Sequence, residues 1–262
     1  MGTTGLFAEN AEKLNADIGH CDVAIITHAH FDHGGGLETF FNKNRETKVY
    51  LHEKSKGDYF ANVAIKLPDP VKSILPSFVI KSEKFSRYIG LDRTLIKKFP
   101  DRFICVNDLS EIRRDVFIIT DIENRYPLCE GNRHLLQKKE GKLVSDSFDH
   151  EIVPVISDPD GLVVFCGCGH NGILNILESV RKKFQNTRIK GVVGGFHLKK
   201  NPVKEKNISG TPEEIEFIAR QLLEDEINVY TGHCTGEMAF GILKKIMKDK
   251  LNRLHTGSFF EI

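Results

Sequence analysis

The chain has 262 residues and a formal charge of +1, from 37 Lys and Arg against 36 Asp and Glu. So even a balance supplies no overall field to draw in nucleic acid or an anionic membrane. Six cysteines are too few for a disulfide scaffold, no apolar run reaches transmembrane length, and residues 1–15 lack a signal-peptide layout, so a reduced, cytoplasmic protein is the default expectation.

Residues 7–15 read as a short helix, and Val23-Ala24-Ile25-Ile26-Thr27 reads as a buried strand. That strand runs directly into His28-Ala29-His30-Phe31-Asp32-His33, followed by Gly34-Gly35-Gly36. Side chains alternate along an extended segment, so His28 and His30 project to one side and can hold one cation. Asp32 and His33, on the following turn, can reach a second. A solvated polar loop is the competing reading, but three His and one Asp at ligand spacing after a strand point to metal.

A brief helix from Leu37 and a strand near residues 48–51 come next. Residues 54–102 carry Pro68, Pro70, Pro76 and Pro100 and read as an insertion of short helices and long loops, a lid over a site. Strands are expected at 103–106 and 116–120, then a polar, Gly-containing stretch from 123 to 147. Strands at 152–157 and 162–166 flank the turn Asp158-Pro159-Asp160-Gly161.

The last hundred residues alternate regularly. A helix at 171–184 buries Ile173, Leu174, Ile176, Leu177 and Val180, and a strand follows at 189–193. The helix at 212–225 begins with an N-cap Thr211, a first-turn Pro212 and a capping-box Glu214. A strand at 227–231, a helix near 236–248 and a terminal strand at 258–262 complete an α/β domain spanning residues 1–262.

Three later strands repeat the pattern of the first. They end in Cys166-Gly167-Cys168-Gly169-His170, in Gly194-Gly195-Phe196-His197, and in Gly232-His233-Cys234. Loops at strand ends are where α/β proteins assemble sites. Six of the eleven histidines fall in these four segments, whereas His20, His52, His134, His150 and His255 read as surface or packing residues. Cys166-x-Cys168-x-His170 also admits a structural zinc clip or a redox pair, although no fourth ligand lies close by in sequence. Cys166 is expected to point into the core.

With His28-x-His30-x-Asp32-His33 after a strand, and GLVVFCGCGHNGI, VVGGFHL and TGHCTG following in order, the chain resembles the metallo-β-lactamase superfamily. It looks most like the branch of superfamily II metal-dependent hydrolases that includes a methanogen pterin-condensing synthase. The resemblance implies a four-layer αββα sandwich with one or two divalent metal ions at the edge between two sheets. It assigns His28 and His30 to a first metal, and Asp32, His33 and His233 to a second. Cys168 stands where many relatives place a metal-bridging Asp, and His170 and His197 become further candidate ligands. The usual mid-chain Gly-His motif is not evident, with Asp149 its nearest positional match. Relatives also begin with a β-hairpin ending in Asp-x-Gly. Met1-Gly2-Thr3-Thr4-Gly5 looks like the tail of that motif, so the N-terminal hairpin is expected to be missing.

The expected activity is metal-dependent hydrolysis of a small ester, lactone or phosphoester, with Asp32 binding metal and handling the proton of the attacking water. Zinc suits the His-rich site best, with manganese, iron or magnesium as alternatives. The rival expectations are transfer of a pterin-methyl group from a diphosphate, nucleic-acid processing, which the even charge disfavours, and a non-catalytic metal or redox sensor using Cys166, Cys168 and Cys234.

Overall fold

Strands with an apolar residue on both faces need cover on both, and that requirement sets the layers of this molecule. A computed structural model describes residues 1–64, 84–199 and 208–262. In chain order, helix α1 (Leu6–Lys13) precedes β1 (Ala24–Ile25), α2 (Phe31–Gly34), α3 (Leu37–Lys43), β2 (Val49–His52), β3 (Tyr59–Ala64), β4 (Lys84–Tyr88), α4 (Arg93–Lys98), β5 (Phe103–Val106), β6 (Ser110–Arg113) and β7 (Val116–Ile119). There follow β8 (Leu135–Lys139), β9 (Lys142–Ser145), β10 (Val153–Asp158), β11 (Gly161–Cys166), α5 (Ile173–Lys183), β12 (Ile189–Gly194), α6 (Pro212–Glu224), β13 (Asn228–Thr231), α7 (Glu237–Met247) and β14 (Leu251–Arg253).

A parallel sheet of order β1-β2-β5 faces a seven-stranded sheet of order β14-β13-β12-β11-β10-β7-β6. Ile25 and Tyr50 of the small sheet meet Ile118 and Ile152 of the large one in a shared core. Their neighbours Ala24, Ile26, Val49 and Leu51 turn the other way, onto Leu37, Phe40 and Phe41 of α3 and Leu95 of α4. On the large sheet, Val153, Val155, Val164, Val192 and Val229 pack beneath Ile176 of α5, Leu222 of α6 and Leu243 of α7. Each such fully buried side chain contributes roughly 1.5–3 kcal/mol of transfer free energy. The layers run helix, sheet, sheet, helix, which is the αββα sandwich expected from the sequence.

Three expectations need correction. The reading of residues 54–102 as loops and short helices missed two strands among the described residues, because β3 and β4 pair there and join β8 and β9 in a separate sheet of order β4-β3-β8-β9. The central part of the expected lid, residues 65–83, lies outside the described residues. The polar stretch 123–147 supplies the other half of that sheet as a hairpin, turned by Glu140 and Gly141, both at positive φ. The final strand is Leu251–Arg253, parallel to β13, and not 258–262. Phe260 instead stacks on Tyr230, with ring centroids 3.9 Å apart. Phe260 thus covers the sheet without pairing with it. No described helix is long and apolar enough to cross a membrane.

Candidate metal centre

Register brings the later loops together. Strands β11, β12 and β13 are parallel neighbours, and Cys166 pairs with Gly194, which pairs with Thr231. The loops leaving these residues therefore emerge side by side, carrying Cys168 and His170, His197, and His233 and Cys234. Hydrogen bonds lock them laterally: Thr231 Oγ1 donates to the Gly194 carbonyl at 2.7 Å, and Phe196 N–H to Thr235 Oγ1 at 3.1 Å. The histidine loop arrives from the other sheet. Ile152 N–H donates to the Thr27 carbonyl at 2.7 Å, so β1 ends against the start of β10. Gly167 permits the closest approach, since a Cβ there would collide with Thr27 Oγ1 and lie 3.0 Å from His28 Nδ1.

His28, His30 and His170 are buried, and their ligand nitrogens lie within 4.8 Å of one another. In all three rings Nε2 is buried with no hydrogen-bond partner. A buried polar atom without a partner costs free energy unless something fills the gap. For His170 the tautomer is fixed as well. The Asn132 carbonyl oxygen lies 3.0 Å from Nδ1, and Asn132 Nδ2 donates to the His170 carbonyl at 2.7 Å. A carbonyl oxygen only accepts, so the proton sits on Nδ1 and the Nε2 lone pair points into the cluster. Burial pushes all three histidines well below their ordinary pKa, so they stand neutral. Three convergent imidazole lone pairs in a dry pocket could hold a divalent cation.

A second group adjoins it. Asp32 Oδ2 lies 3.7 Å from His33 Nε2 and 3.6 Å from His233 Nε2, on the outer side of the first cluster. His30 caps the single turn α2 that presents Asp32 and His33. Burial pushes the Asp32 carboxyl up, but the close contact with His233 and the neighbouring His33 and His30 outweigh it and hold it well below the carboxylate range. The same partner raises His233, while burial lowers His33 to about 4. Cys168 sits between the two groups, its Sγ 3.2 Å from His33 Nε2 and grouped with His28 and His33.

A family model for the metallo-beta-lactamase superfamily matches residues 2–169. The chain belongs to that superfamily. Over 98% of its length it is 26% identical to a Methanocaldococcus jannaschii protein, 82% of which is covered, named 7,8-dihydropterin-6-methyl-4-(beta-D-ribofuranosyl)-aminobenzene-5'-phosphate synthase. An uncharacterized protein of the same organism is 24% identical, with 91% of this chain and 78% of that one covered. Among solved structures, Tm1679, described as a metal-dependent hydrolase of the beta-lactamase superfamily, superposes with a TM-score of 0.73. It is 27% identical, with 100% of this chain and 86% of that one covered.

In this member of the superfamily, all eight residues singled out in the sequence gather at the sandwich edge: His28, His30, Asp32, His33, Cys168, His170, His197 and His233. Asp149 does not join them. It is half-exposed and paired with Lys54 at 2.8 Å. His150, read from sequence as surface or packing, is a buried packing residue that braces the histidine loop. Its Nδ1 accepts the Ala29 N–H at 3.1 Å, leaving Nε2–H for Asp146 at 3.1 Å. Both nitrogens are thus engaged, although His30, Asp146 and His150 also cluster. Glu151 was missed entirely. Its buried carboxylate accepts the backbone N–H groups of His170 and Asn171 at 2.9 and 2.8 Å and so shapes the loop that carries His170. The one signal for this pair was two polar residues directly before a wholly apolar strand; for Asn132 there was none.

A cavity of about 880 Å³ lies one side-chain layer from the histidines. Phe148 and Asn132 form the partition: both line the cavity, and Phe148 stacks on the His170 ring at 4.7 Å between centroids. Tyr126, Phe196 and Phe217 supply much of its apolar wall.

Proposed function

We propose that this protein is a zinc-dependent hydrolase in which His28, His30 and His170 hold one cation, Asp32, His33 and His233 hold a second, and Cys168 lies between them. The observation that carries the proposal is the trio of buried, partnerless Nε2 atoms converging from two different sheets. Imidazole and thiol donors favour zinc over magnesium, which prefers oxygen. Cations held there would polarise a carbonyl or phosphoryl oxygen and make water acidic enough to attack near neutral pH. Asp32, ionised because of its histidine neighbours, orients the attacking water by accepting its hydrogen bond and takes up the proton. Asn132 and Glu151 keep His170 in place, and His150 does the same for Ala29, between the first two ligands.

A cavity of this size suits a small organic molecule, phosphorylated ones included. The even charge leaves nucleic acid out, and six free cysteines suit the reducing cytoplasm. The whole chain acts here as one domain, with Tyr59 and Ile89 packed against Ala29 beside the site. Replacing His30 or Asp32 by Ala is expected to lower zinc content, measured by plasma mass spectrometry, and to abolish hydrolysis of ester, lactone and phosphodiester probes. Full turnover in either variant overturns the proposal.

A second reading has its own support. A relative that aligns over nearly the whole chain is named a synthase, so the same site also reads as one for group transfer from a diphosphate, with no water attacking. Incubating the zinc- and magnesium-loaded protein with a dihydropterin-methyl diphosphate and an aminobenzene ribofuranosyl phosphate separates the two. Condensed product points to transfer, and release of the free pterin alcohol points to hydrolysis.

A further inference from the structure

Beyond the two histidine groups, a third set of soft ligands closes on itself. Cys168, His197 and Cys234 place two sulfurs and one ring nitrogen within 4.8 Å of one another. They come from the three adjacent loops after β11, β12 and β13, so the strand register creates the set. His197 Nδ1 is buried with no hydrogen-bond partner. The His197 backbone N–H donates to Cys234 Sγ at 3.3 Å, and Cys234 Sγ donates to the Cys168 carbonyl at 3.4 Å, which fixes the second sulfur from both sides. Gly195 leaves it no slack, since a Cβ there would stand 2.5 Å from Cys234 Sγ. His197 holds its ring in position from a backbone at φ 47°, an uncommon conformation for a residue with a side chain. Cys168 and Cys234 are both free thiols.

We propose that Cys168, His197 and Cys234 form a further zinc site, distinct from the histidine centres and joined to them through Cys168. Two thiolates and an imidazole are donors that select zinc over calcium or magnesium. Binding releases the two thiol protons to solvent, so the site carries the charge of one Zn²⁺ and two thiolates, which sum to zero. Among the described residues it has three protein ligands, and zinc takes four, so the last position is open to water or a small thiol. His197 and Cys234 are partly buried, and each keeps some exposed surface. The inference does not depend on which reaction the histidine centres perform.

The test reconstitutes the full chain with cobalt(II), whose bonds to thiolate give an intense near-ultraviolet charge-transfer band, and counts zinc per chain in parallel. His30→Ala, which disables the first histidine centre, is expected to keep the band. Cys234→Ala and His197→Gln are each expected to lose at least half of it, and each to hold one zinc fewer than the parent chain. Cys234→Ser, close in size, serves if the alanine variant does not give a cooperative melt. An unchanged band and zinc count in a folded Cys234 or His197 variant overturns the proposal. So does loss of the whole band in His30→Ala, or a Cys168–Cys234 disulfide found by mass spectrometry in protein purified under reducing conditions. Loss of hydrolysis in His30→Ala with the band retained leaves this site standing whatever becomes of the hydrolase reading.

Discussion

Asn132 shows how much of a metal site can rest on a residue that never touches the cation. Its amide reads both the ring and the backbone of His170, and by accepting from Nδ1–H it forces the lone pair onto Nε2. Leucine at this position keeps the volume and removes both interactions. The expected outcome for Asn132→Leu is a zinc affinity lower by about 10–100-fold, the range for loss of an outer-shell partner. Competition with a chromophoric chelator measures it. An affinity within twofold of the parent would mean that Phe148 stacking alone orients His170. Asp32 is the converse case, a residue legible from the sequence whose electrostatics were not. Its carboxylate lies between two histidine rings, and the contact with them, His233 foremost, outweighs its own burial and keeps it ionised.

Close approach is what binds one element to another here, and Gly167 is its clearest instance. The loop after β11 passes so near the end of β1 that a methyl group at 167 would meet the Thr27 hydroxyl. Gly167→Ala is expected to cost about 1–3 kcal/mol, as overpacking generally does, and to weaken zinc binding by moving His28. Denaturant melts of the zinc-loaded and chelator-treated variant read both effects, and a melt matching the parent in both forms contradicts the close contact. The same elements show what could be read in advance. Apolar strands ending in glycine and histidine announced β1, β11, β12 and β13, because burial on both faces leaves a plain mark in sequence. The capping box at Thr211 and Glu214 marked α6 to within a residue. The β8–β9 hairpin was not legible, since Leu143 and Val144 are exposed and its strands carry no clean alternation. His150 and Glu151 escaped for a different reason: their role is defined by partners at positions 29, 170 and 171, far away in the chain.

At the scale of the whole molecule, the site loads the fold with buried neutral histidines, and this fixes the sign of its pH dependence. In metal-free protein, His28, His30 and His170 are lowered well below the ordinary value of 6.5, and His33 is lowered to about 4. In the unfolded chain these rings regain that ordinary value, so between about pH 4 and 6.5 the unfolded state binds more protons than the native one. Stability is then fully present above the unfolded value and is lost as the pH falls through the window. His233 acts in the opposite sense, because its raised pKa stabilises the protonated form and that contribution fades as pH rises. Five lowered histidines, His52 among them, set against two raised and exposed ones, His20 and His233, decide the direction. Chelator-treated protein is therefore expected to lose thermal stability steadily from pH 7 to pH 4.5, followed by calorimetry. A zinc ion held more tightly by the native arrangement of nitrogens than by the unfolded chain would raise the melting temperature at pH 7, in a concentration-dependent way. A metal-free melting temperature that rises on acidification would mean that water reaches these rings and that the dry cluster is not the state the protein adopts in solution.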